Sequence, residues 1–215
     1  MSEHLGPIHY MMYEKIKFQD KISDYLVDNK SGELSIEAVP TQALDEILDQ
    51  ENIHGFLQAK IDQVEARLLE AFTISKDTDQ KLYDFGKITG KDKDFSSFNT
   101  IFNDLNMYLL DGMPCDNGLA AGVDGDSLYL ITNNNLHLKY EKEKIRLEDS
   151  LNATCEGGHG HDHHENFDLK ENVDLNLKDE NSSYHKHRLA FLRGYFSNSP
   201  YQVELVNGIN YRIFK

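Results

Sequence analysis

The densest run of metal-ligating side chains extends from Gly157 to His164, GGHGHDHH, where His159, His161, His163 and His164 accompany Asp162. Cys155 and Glu156 lie just upstream. Neutral imidazole is a common ligand for divalent transition metals, and interleaved glycines leave the backbone free to wrap round an ion. The cofactor expected is therefore a divalent metal ion: Zn, Ni or Fe. All the ligands sit side by side in one loop, whereas a closed structural zinc site draws pairs of ligands from separated segments. That spacing suits exchangeable binding, and because imidazole binds metal only when neutral, affinity should fall steeply below about pH 6. The alternative is a solvent loop whose metal affinity is incidental.

A second group of candidates is spread along the chain. His54 takes a heptad position otherwise filled by Ile61 and Leu68, so it should face a helical interior. Glu65, about three turns further on, falls near the same face. His9 and Glu14 on the first helix are placed to meet it. Inward-facing Glu and His from different helices are how metal sites in bundles are built, although no Glu-x-x-His pair is present here. The commoner fate of such a histidine is to be buried and satisfied by a carbonyl or carboxylate.

The segment Asp111 to Asp116, DGMPCD, holds Cys115 after a turn. A Cys115 nucleophile with His137 as base would need the two to meet in space, and no nearby positive charge favours the thiolate. A small, partly buried residue seating the loop is the simpler role. Asp124-Gly125-Asp126 reads as a turn, because it lacks the bidentate glutamate of a calcium loop. His185 and His187 are two apart on a helix start, point to different faces, and read as solvent-facing.

The elements that must position these residues follow from periodicity. A helix opens at Gly6-Pro7 and carries Ile8, Met12, Ile16, Ile22 and Leu26 to a turn at Asp28 to Gly32. A longer helix begins near Pro40-Thr41, with Ile47, His54, Ile61 and Leu68 on one line and Leu57, Val64 and Ala71 on another. It is expected to pack antiparallel to the first, with Gly55 a weak point costing about 1 kcal/mol against alanine. Helical spacing recurs at Leu82 to Ile88, at Phe95 to Leu109 and at Tyr184 to Phe196. Residues 119–125 read as a loop of small residues, and SLYLIT, Ser127 to Thr132, as a strand. Asn207-Gly208 predicts a two-residue hairpin turn pairing Val206 with Ile209, with Tyr211 and Ile213 facing inward.

The fold class expected is α+β: an antiparallel helical bundle over residues 1–112, then a mixed part over 113–215 ending in a β-hairpin. Residues 148–183 form an exposed, His-rich polar excursion, and the two parts make one compact unit.

The formal charge of −15 excludes nucleic acid as a partner, since phosphate binding needs clustered Lys and Arg. No apolar run approaches the roughly 20 residues needed to span a bilayer, and the start lacks the pattern of a signal peptide. Two well-separated cysteines, Cys115 and Cys155, fit a reducing compartment, so the location expected is the cytoplasm. No G-x-G-x-x-G, Walker or G-x-S-x-G motif is present.

Three readings of function result. The first is a cytosolic metal-binding protein that uses the His159 to His164 loop for buffering, delivery or sensing. The second is an enzyme with a site between the helical and mixed halves, drawing on His9, His54, Glu65, Cys115 and His137. The third is a helical module that binds a small ligand or a partner, whose faces also offer a route to self-association.

Overall fold

A computed structural model describes residues 5–48, 52–113, 118–133, 137, 140 and 182–215. Helix α1 spans Pro7–Leu26. Pro7 opens it without losing a backbone bond, and His9 Nδ1 accepts the Gly6 N–H at 2.9 Å. The helix ends where Asp28 and Asn29 turn to positive φ, 56° and 58°.

A 3₁₀ turn (Ser31–Glu33) and the short α2 (Leu44–Ile47) follow, then the long α3, Ile53–Ile74. Asn52 caps α3, its Oδ1 accepting the Gly55 N–H at 3.0 Å. Helix α3 thus starts thirteen residues later than the position of Pro40 suggests, and Gly55 belongs to its first turn. A Cβ there would sit 2.3 Å from the Asn52 side chain, so glycine is what lets the cap close.

Helix α4 (Thr78–Thr89) and α5 (Phe98–Leu105) complete the helical half. Among the described residues, strands β1 (Leu119–Asp124) and β2 (Ser127–Thr132), helix α6 (Ser183–Tyr195), and strands β3 (Gln202–Val206) and β4 (Asn210–Phe214) follow. The architecture is α+β, as expected.

One pairing runs in the opposite sense to the expectation. His9 faces His54, Gln19 faces Glu65, Asp20 faces Arg67 and Leu26 faces Ser75, so α1 and α3 lie parallel. The connector from Val27 to Asn52 carries the chain back to the starting end, which a tight turn could not do. Arg67 fixes the register, its guanidinium bonding Asp20 Oδ1 at 2.7 Å, Asp24 Oδ1 at 2.6 Å and the Ile36 carbonyl at 3.1 Å. Helix α4 runs back against α1 instead, with Lys81 at the Leu26 carbonyl and Phe85 against Phe18.

The sheet is antiparallel throughout, in the order β1-β2-β4-β3. Residues expected to be a loop, 119–125, largely form β1, whose six residues Leu119–Asp124 each pair with a residue of β2. At the last hairpin Val206 pairs with Asn210 rather than Ile209. Asn207 and Gly208 both take positive φ, 53° and 74°, and Ile209 joins them in a three-residue connection. Tyr211 and Ile213 do point inward, fully buried.

Helix α6 packs on α4 almost backbone to backbone. A Cβ on Gly86 would lie 2.0 Å from the Phe191 carbonyl oxygen, and one on Gly194 would lie 1.9 Å from that of Tyr83. Two apolar cores result. One gathers Met12, Ile16, Leu57, Ile61, Val64 and Leu110; the other joins Leu26, Leu68, Ala71 and Leu109 to α6 and the sheet. Among the described residues no helix is long and apolar enough to cross a membrane.

Candidate functional site

Where α1, α3 and the segment after α5 pass from one apolar core to the other, their inward positions turn polar. Helix α1 contributes Lys15 and Gln19 along one line of its inner face, α3 contributes Glu65, and Asp111 follows α5. Helix α6 supplies Tyr184, His185 and Arg188, and His137, Tyr140 and Tyr211 close the cluster. All of them are buried, Glu65 completely. Burying charge is expensive unless each charge is paired and hydrogen-bonded, and here the pairing is dense.

Arg188 is the hub. Its Nη1 donates to Asp111 Oδ1 at 2.8 Å, and its Nη2 donates to the Leu110 carbonyl at 3.2 Å and to the Tyr184 hydroxyl. The guanidinium also lies 4.8 Å from the centre of the Tyr184 ring, one helical turn away.

His137 bridges two carboxylates, with Nε2 3.1 Å from Asp111 Oδ1 and Nδ1 3.4 Å from Glu65 Oε2. Its ring stacks on Tyr184 at 3.6 Å and 10°. Gln19 Nε2 donates to Glu65 Oε1, and the Tyr140 hydroxyl donates to the Glu65 carbonyl at 3.2 Å. Behind His137, His185 Nδ1 lies 2.8 Å from the Tyr211 hydroxyl.

This packing sets the charge states. Burial alone would raise the Asp111 carboxyl, but the Arg188 charge and the bonds from His137 and Arg188 outweigh it and hold the group well below the ordinary carboxylate range. Burial raises the Tyr140, Tyr184 and Tyr211 hydroxyls, which stay protonated. His185 is pushed down to about 2 by burial, with the Arg188 charge adding to it, so it is a neutral imidazole. Lys15 is pushed down to about 8, again by burial first; Asp111 pulls it up and Arg188 pushes it down.

Lys15 and Asp111 reach the surface of this layer in a cleft of about 370 Å³ between α1, α5 and β1. Its walls are mostly apolar: Ile8, Met11, Phe102, Met113, Leu119, Ala120 and Ala121. Its polar end holds Lys15, Asn106 and Asp111. Lys15 Nζ donates to Asn106 Oδ1 at 2.8 Å. A second cavity, beneath Tyr184 and Arg188, measures about 40 Å³ and has no room for an organic ligand.

The second group of candidates thus divides into two places. His9 and His54 meet edge to face, with ring centres 5.5 Å apart, at the starting ends of α1 and α3. Glu65 and His137 meet at the junction of the two cores, about three turns away along α3. They do not form one site, because His54 and Glu65 are eleven residues apart on the same helix, about 16 Å along its axis. Glu14 is exposed and pairs with Lys17 instead of His54. Cys115, and the loop holding His159, His161, Asp162, His163 and His164, lie outside the described residues. Among the described residues, no group of three or more His, Cys, Asp or Glu side chains is placed to hold a metal ion.

His185, expected at the surface, is buried against Tyr211, while its neighbour His187 pairs with Asp79 at 2.6 Å. Arg188 and Lys15 are the functional candidates that periodicity passes over. Both carried a signal. Tyr184, Arg188, Phe191 and Tyr195 recur at helical spacing on one face, and so do Lys15, Gln19, Ser23 and Leu26.

The chain matches no protein-family model, and no curated protein or solved structure matches it.

Proposed function

We propose that this protein is an enzyme acting on a small organic molecule bound in the cleft between α1, α5 and β1. The observation that carries this reading is the meeting of that mostly apolar cleft with a buried ionic layer at Lys15 and Asp111. A concave apolar pocket with a few convergent polar groups is the usual form of a small-molecule site. Ionisable groups whose proton affinities are pushed far from ordinary values gather at catalytic sites. Arg188 and His137 hold Asp111 ionised, and Glu65 and Tyr184 pack against those two and fix them in place. The site lies at the junction of the helical half and the sheet.

The reading is tested by offering wild-type protein and an Ala120→Phe variant a pool of small metabolites and following each compound by mass spectrometry. Ala120 lines the cleft from β1 and is not a member of the ionic layer, so the larger side chain is expected to fill the space, with a thermal melt to check that the fold is kept. At least one compound should be consumed by the wild type and spared by the variant. Consumption of none, or equal consumption by both, contradicts the proposal.

A second reading keeps a specific observation of its own: four imidazoles within the six residues from His159 to His164. On that reading the loop takes up Zn, Ni or Fe reversibly, for delivery or buffering. Equilibrium dialysis of the wild type against a variant with these four histidines changed to Ala decides it. Metal uptake should be lost in the variant; equal uptake contradicts the reading.

A further inference from the structure

The chemical class of the ligand can be argued from Lys15 itself. A buried lysine that faces a carboxylate directly is an ion-pair cation. Lys15 is buried, yet the partner of its Nζ is the neutral amide oxygen of Asn106. Asp111, the acid of the cluster whose charge acts on Lys15, spends Oδ1 on Arg188 Nη1 and on His137 Nε2. An amide oxygen accepts from an ammonium and from a neutral amine alike, and being uncharged it holds the proton on nitrogen far less than a carboxylate would. The neutral amine, when present, keeps a lone pair free. The cleft wall beside it is built of Met11, Phe102, Met113 and Ala120, which disfavours a charged ligand and suits a short carbon chain.

Resting on the cleft being a ligand site, we propose that Lys15 captures a small, uncharged aldehyde or ketone there as an imine. The nitrogen lone pair attacks the carbonyl carbon, and the proton lost from nitrogen is taken up by the carbonyl oxygen to give a carbinolamine. The carbon–oxygen bond then breaks, the hydroxyl leaves as water with the second proton from nitrogen, and the nitrogen lone pair forms the C=N bond. No oxidant or reductant is needed. The lowered proton affinity of Lys15, with its midpoint near 8, leaves a usable fraction of free amine at neutral pH, whereas an ordinary lysine has almost none.

The test is reductive trapping in the full-length chain. Butanone and sodium cyanoborohydride are added between about pH 6 and about pH 9, and alkylation of each lysine is read by peptide mass spectrometry. At about pH 7, Lys15 should react at least about ten times faster than the exposed Lys87 and Lys91, with a midpoint near 8. Asn106→Asp puts a carboxylate against Nζ, keeps it protonated, and should slow Lys15 by about ten-fold while a circular dichroism melt shows the fold retained.

Lys15 reacting no faster than Lys87 in a folded protein overturns the proposal. If butanone then still shifts the cleft methyl resonances, ligand binding stands and imine formation falls. Rapid trapping at Lys15 together with no consumed metabolite has the opposite meaning: imine capture stands and the enzyme reading falls.

Discussion

Arg188 Nη1 donates to Asp111 Oδ1 across 2.8 Å, and this ion pair joins the C-terminal helix to the end of the helical half, 77 residues apart in sequence. Because both side chains are buried, the pair is worth most when its absence is considered. Removing one partner strands the other charge out of water, which is costlier than never having had the pair.

Arg188→Leu is therefore expected to destabilise the protein by about 3–5 kcal/mol, measured by urea denaturation. Arg188→Lys should recover only part of this loss. A lysine is a point charge and cannot reach Asp111, the Leu110 carbonyl and the Tyr184 hydroxyl together. Full rescue by lysine would show that charge alone matters.

His185 makes stability depend on pH. It is buried among His137, Tyr184, Arg188 and Tyr211, and its folded value is pushed down to about 2. The unfolded chain takes up a proton near the ordinary value of about 6.5, where the folded chain does not. Stability is therefore full above that value and declines as pH falls below it. Between about pH 7.5 and about pH 5.5 the loss from this group alone is about 1.4 kcal/mol. Denaturation of the wild type and His185→Gln across that range should show a smaller decline in the variant; parallel curves would contradict the assignment.

The close approach of α4 and α6 yields a third expectation. Gly86→Ala drives a methyl group to 2.0 Å from the Phe191 carbonyl oxygen, where only backbone movement can relieve it. A loss of about 1–3 kcal/mol or more should appear in a thermal melt. Gly32→Ala is the control, since a Cβ there meets nothing within 4 Å. Equal melting of the two variants would contradict the packing.

Much of the frame could be read from periodicity. Ile61, Leu68, Leu57, Val64 and Ala71 are all buried as their heptad requires, and SLYLIT forms β2 residue for residue. The sense of helix pairing could not be read, because an amphipathic stripe looks the same in either direction, and only partners such as Gln19 with Glu65 reveal it. The hairpin register missed by one residue for a similar reason: Asn207-Gly208 marks positive φ but does not say whether Ile209 joins the turn.

The site was legible in pieces. Glu65 and His137 stood out as inward acid and possible base, and they do meet. Lys15 and Arg188 lie on faces that helical spacing marks, but charged residues there ordinarily reach for solvent, as His185 was also expected to do. What keeps them buried is partners far along the chain, which the local spacing does not name.

The most direct measurement is a methyl-resolved NMR titration of the full-length protein with small organic compounds, butanone among them. The expected result is that binding compounds shift the methyl signals of Met11, Met113, Ala120 and Ala121, which line the cleft beside Lys15 and Asp111. Shifts confined to other methyls, such as those of Leu57 and Ile61 in the packed core, or no binding by any compound, would contradict a functional site in this cleft.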